Sequence, residues 1–197
     1  MIDAGDPASG HGYAPGMTAI ELLAWLMDEA FEGPGLEQSG ESQSLMGNLR
    51  TVPPELWQAS EPGVVRTIES IALHVGACKV VYADHAFGDG SITFMSPEAA
   101  PWMPGTARSE EVIGWLGDVH ASLLRHVRAL TDSDLAVPRP ANWGELRETR
   151  WLLSTLLQHD TYHAGEINRM RSLLVGEDRW MWQIHAGITP GADGTGG

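Results

Sequence analysis

The chain is expected to fold as an all-α four-helix bundle, and three features of its sequence point there. Long segments carry apolar residues at alternating spacings of three and four, the repeat of one face of a packed α-helix. No stretch of useful length shows the apolar–polar alternation of a half-buried strand. The 23 Gly and 12 Pro gather at the ends and between the apolar segments, where they break regular structure into separate elements.

Residues 1–16 are rich in Gly, Asp, Ser and Pro without periodicity and read as a flexible tail; residues 17–186 form the bundle domain, and 187–197 a Gly-rich tail. Thr18 with Glu21 three residues on makes a capping box, and Ile20, Leu23, Met27 and Ala30 give a first helix ending near Gly33-Pro34-Gly35. A shorter helical segment from Glu41 to about Thr51 presents Leu45, Met46 and Leu49 and stops at Val52-Pro53-Pro54. The second long helix is expected to start after Glu61-Pro62-Gly63 and run to Phe87, with Val64, Thr67, Ile71, His74, Cys78, Val81 and His85 along one seam.

A long loop with three prolines, Gly88 to Gly105, carries Phe94, Met95, Trp102 and Met103, and loops of this kind often cover a site. The third helix opens at Ser109-Glu110-Glu111 and shows Ile113, Leu116, His120, Leu123, Val127 and Leu130. The fourth, from about Glu145 to Val175, places Thr149, Leu152, Leu156, His159, His163, Glu166, Met170 and Leu173 on one seam. Trp180-Met181-Trp182-Gln183-Ile184 reads as a cap or a dimer contact.

Composition narrows the function. With 26 acidic against 12 basic residues the formal charge is −14, and no basic patch interrupts it, so phosphate backbones and anionic membranes would be repelled. No run approaches about 18 consecutive apolar residues, and the N-terminus has neither a basic region nor an apolar signal core. A single cysteine excludes an internal disulfide framework. These features together predict a cytoplasmic protein with no nucleic-acid or membrane partner.

His159 and His163 are four apart, which stacks the two imidazoles one helical turn, about 6 Å, from each other. Buried polar groups need a partner, and several histidines on interior seams ask for a common one; a divalent cation bound by His159, His163 and His74 from the facing helix would serve. The plainer reading of a His pair at this spacing is a hydrogen-bonded structural pair. Glu166, one turn from His163, and Asp160 could orient a ligand imidazole or handle a proton. Cys78, one turn after His74, reads as a buried core residue or as the closing ligand of a His3Cys structural zinc site. His120 reads as a core histidine or an outlying ligand, and His85, about 16 Å along the axis from His74, is too far to share its metal. Trp143 and Trp151 read as packing residues.

The stretches Ile71-Ala72-Leu73-His74-Val75 and His159-Asp160-Thr161-Tyr162-His163-Ala164-Gly165-Glu166-Ile167, about 85 residues apart, resemble the DinB-like superfamily of metalloenzymes, also called DinB/YfiT-like. The resemblance spans roughly Thr18 to Val175. It implies an up-down-down-up bundle whose three histidines hold a divalent metal, zinc or nickel, and a homodimer. It also implies an activity of the kind known in the family, S-transfer from a low-molecular-weight thiol such as mycothiol or bacillithiol to a small-molecule substrate. Two rivals stand beside that reading: metal-assisted hydrolysis with Glu166 or Asp160 as base, and a non-enzymatic bundle with a closed structural metal. One departure from simple family members is the interruption of the first helix between Gly33 and Gly40.

Overall fold

A computed structural model describes residues 16–33, 44–59, 63 and 65–176. The tails apart from Gly16, the Pro34-Gly35 end of the first helix, the expected Glu41 start of the short helix, the Glu61-Pro62 break, Val64 and the Trp180–Ile184 stretch lie outside the described residues. Among those described there are five α-helices: α1 (Ala19–Phe31), α2 (Leu45–Arg50), α3 (Ile68–Phe87), α4 (Ser109–Arg128) and α5 (Thr149–Val175). None of them is long and apolar enough to cross a membrane.

Helix α1 starts where its capping box demands. The Thr18 side chain accepts from the Glu21 backbone N–H, while the Glu21 carboxylate accepts from the Thr18 backbone at 2.8 Å. Ser44 caps α2 by accepting from the Gly47 N–H, and its hydroxyl donates to the Glu32 carbonyl at 2.9 Å, which ties the start of α2 to the end of α1. All three apolar positions expected of α2, Leu45, Met46 and Leu49, are buried.

Helix α3 begins at Ile68, a turn later than its apolar spacing suggests. The reason is local: Thr67 is the N-cap, its side chain accepting from the Ser70 N–H while Ser70 Oγ accepts from the Thr67 N–H. Helix α5 likewise starts at Thr149 rather than near Glu145. The preceding residues pair as a short antiparallel hairpin, β1 (Pro138–Pro140) with β2 (Leu146–Glu148), turned at Gly144 with φ +89°. Strands of three residues are too short for any alternation to show in sequence. Arg139 at the centre of β1 anchors the hairpin: its guanidinium bonds Thr149 Oγ1 at 2.9 Å and the Ala86 carbonyl at 3.2 Å.

Side-chain pairs give the helix directions. Phe31 stacks on His120 while the Ile20 N–H donates to Asp132, so α1 and α4 are antiparallel. Gly76 meets Trp115 and Phe87 stacks on His126, so α3 and α4 run parallel. His74 faces His159, Lys79 bonds Asp160 and Ala86 packs with Leu152, so α3 and α5 are antiparallel. The bundle is therefore up-down-down-up in α1, α3, α4 and α5, with α2 packed against α5. A parallel α3–α4 pair needs a long crossover, and the loop from Gly88 supplies it. The loop is pinned at both ends: buried Glu69 accepts from the Gly105 and Ala107 N–H groups at 2.8 and 3.0 Å, while Asp84 and His85 bond Ile92. At Gly76 a Cβ would lie 2.2 Å from the Trp115 ring, so only glycine lets that indole lie across α3.

The apolar core divides into two main clusters. One gathers Phe31, Leu45, Ile71, Val75, Leu116, Ala164 and Ile167; the other gathers Ile20, Met27, Leu123, Val127, Leu153 and Leu156. Most of the expected seam positions are buried, but Leu173 is 44% exposed and its neighbour Leu174 packs on the core instead. A straight helix drifts about 20° per heptad against a three-four repeat, and by the last turn of α5 that drift has rotated the face by one residue.

Candidate metal centre

Antiparallel packing of α3 on α5 brings His74 to His159. Their Nε2 atoms are 3.1 Å apart, and His163, one turn along α5, places its Nε2 3.2 Å from that of His159. Ring nitrogens this close share either a proton in an N–H···N bond or a cation. Four-coordinate zinc with Zn–N near 2.0–2.1 Å has ligand–ligand edges of roughly 3.3 Å, so the observed spacing fits a shared cation. Cys78, one turn after His74, puts Sγ 3.7 Å from His74 Nε2. His74, Cys78 and His159 each offer a ligand atom within 4.8 Å of one another, a group that fits a divalent metal. His163 reaches this group through His159.

The imidazoles are held differently. His163 Nδ1–H donates to Glu166 Oε2 at 2.7 Å, which fixes the ring and turns the Nε2 lone pair toward the cluster. Glu166 also lies 3.6 Å from the Arg66 guanidinium. His159 has no such partner: its Nδ1 is buried without a hydrogen bond among the described residues, so packing sets its orientation. Burial, then the neighbouring His163 and His74, push the His159 pKa down to about 3, and burial followed by His163 lowers that of His74. Both rings are therefore neutral near pH 7, the form that binds metal. Burial raises the Cys78 thiol to about 11.

Asp160, the other carboxylate expected near the site, sits one residue beyond His159 and so about 100° further round the helix. Its Oδ2 accepts from Lys79 Nζ at 2.6 Å, with side-chain exposures of 1% and 0%. His120 joins this pair and not the cluster: Lys79 Nζ, which has only donors, gives a hydrogen bond to His120 Nδ1 at 3.2 Å. That puts the ring proton on Nε2, which faces Asp28 Oδ1 across 3.5 Å. His85 is likewise structural, its Nε2 donating to the Ile92 carbonyl at 3.2 Å. Trp143 and Trp151 meet edge to face beside the hairpin, and Trp143 meets Tyr82. Sequence reasoning missed Lys79, Arg66 and Asp28. The one available signal was a lysine inside an otherwise apolar α3 segment, Val75-Gly76-Ala77-Cys78-Lys79-Val80-Val81.

Compared with known families, residues 40–167 match the family model described as the DinB superfamily. No curated protein matches the chain.

Proposed function

The chain belongs to the DinB superfamily, and on that premise we propose that it is a divalent-metal-dependent enzyme whose metal is held by His74, His159 and His163, with zinc or nickel as the ion. The supporting observation is the convergence of three imidazole Nε2 atoms from two facing helices at 3.1 and 3.2 Å. When bound, the metal supplies Lewis acidity that lowers the pKa of a thiol or water placed against it. His74 is exposed, which leaves one flank of the cluster open to a small molecule. Transfer from a low-molecular-weight thiol suits this arrangement better than hydrolysis. Asp160 is closed off behind Lys79 and Glu166 is engaged by His163, so neither carboxylate stands free to take a proton from water.

One observation favours a second reading, a closed and non-catalytic site: Cys78 Sγ lies close enough to His74 to act as a fourth donor. The experiment is metal analysis of the purified chain and of His159→Ala, with the cobalt-substituted spectrum of the wild type. Stoichiometric metal in the wild type and its loss in the variant are expected. Metal content unchanged by the substitution would sink the site. A thiolate-to-cobalt charge-transfer band would show that Cys78 closes it.

A further inference from the structure

Between the two apolar clusters each long helix contributes one polar side chain: Asp28 from α1, Lys79 from α3, His120 from α4 and Asp160 from α5. Lys79 and Asp160 are buried completely or nearly so and His120 is 3% exposed, while Asp28, at the outer edge, is 24% exposed. Arg128 closes it on the outside, 3.4 Å from Asp28.

We propose that the Lys79–Asp160 ion pair, completed by His120, is the positioning device of the metal cluster. Resting on the metal reading above, it assigns these residues a role through the ligands and no contact with the metal.

One observation and two physical arguments carry it. Lys79 lies on α3 five residues after His74, and Asp160 directly follows His159 on α5, so the 2.6 Å bond between them fixes against each other the two helices that carry the ligands. Apolar side chains tolerate sliding of one helix along another, because their attraction has no direction. A buried charge does not: a slip of α3 against α5 separates Lys79 from its partners and strands both charges away from water. Metal ligands, finally, must be held to within about 0.5 Å of their working geometry, a tolerance the apolar layers alone do not enforce.

A purely stabilising role makes a different prediction. A buried ion pair replaced on both sides by apolar residues of similar volume often leaves stability unchanged or higher. The double variant Lys79→Met with Asp160→Leu therefore separates the two roles. Its thermal melting and its cobalt affinity, measured by competition with a chromophoric chelator, are compared with those of the wild type. We expect a folded protein that melts at the wild-type temperature or above and binds cobalt at least tenfold more weakly. Wild-type affinity in the folded double variant overturns the inference and leaves the metal site standing, whereas a wild type that takes up no cobalt overturns the metal reading itself. Should the double variant fail to fold, Asp160→Glu keeps the charge pair and lengthens it by one methylene. A folded Asp160→Glu protein with reduced cobalt affinity supports the positioning role, and unchanged affinity overturns it.

Discussion

The histidine cluster and the Lys79 layer lie side by side on α3 and α5 and are built on opposite principles. In the layer a buried cation meets its acceptors: Lys79 gives to Asp160 and to His120, and the Lys79 and Asp160 charges offset each other inside the protein. In the cluster three rings converge through their Nε2 atoms, and the one charged hydrogen-bond partner among the described residues is Glu166, at His163 Nδ1. The first arrangement offsets its charges without a ligand. On the metal reading proposed above, the second is completed by a cation. Burial alone does not distinguish them, since His163 is 3% exposed and His120 also 3%; the fully buried ion pair of the layer does.

The sharpest way to break this comparison is to remove one member from each region of the metal-free protein. Asp160→Ala strands the Lys79 charge in the core and should destabilise by about 3–5 kcal/mol, read as a shift in the urea midpoint at constant slope. His74→Ala removes an exposed ring that has no obligatory partner, and should change stability by only about 0.5 kcal/mol. Equal losses at the two positions would mean that the cluster, like the layer, is a structural network.

A smaller effect is expected at the link between Glu166 and His163. Glu166→Gln keeps the shape of the side chain and removes the charge that holds His163 in place. Metal affinity should fall about 10–100-fold, or roughly 1.4–2.7 kcal/mol, with the fold intact. Chelator competition measures it. Unchanged affinity would show that His163 does not bind through the ring edge that Glu166 presents.

These predictions concern residues that differ in how far the sequence announces them. The long helices, the cap at Thr18 and the stacking of His159 on His163 follow from spacing, because a three-four repeat fixes which residues share a face; His74 is joined to them by its place on a facing seam and by the family resemblance. Direction along that face is harder to read. Asp160 and Glu166 have the same chemistry and flank the same motif, yet one bonds a lysine across the bundle and the other a histidine on its own helix. The difference lies in a 100° rotation combined with which helix packs on that side, and only the tertiary arrangement supplies the second term. Lys79 was hidden for the same reason: on α3 alone it is a charge in an apolar run, and its partners come from α4 and α5. The hairpin before α5 was hidden by its length.

Acid gives the gentlest probe of the same contrast. The folded-state pKa of His159 is held down to about 3, against an ordinary value of 6.5. As pH falls, the unfolded chain takes up the proton first. The contribution of neutral His159 to stability is therefore present in full above pH 6.5 and is lost as pH falls toward 3. His74 and His120 are shifted in the same direction, chiefly by burial, and add to the trend. One proton gives a slope of at most about 1.4 kcal/mol per pH unit, lessened where the ring meets solvent. Urea denaturation of the metal-free protein at a series of pH values should show stability falling on the acid side of 6.5, and His159→Gln should flatten that slope by the share of one proton. The metal-loaded protein should hold its stability further into acid, because a bound cation keeps the rings unprotonated until protons outcompete it. If metal leaves the acid limb where it was, the three imidazoles are not its ligands.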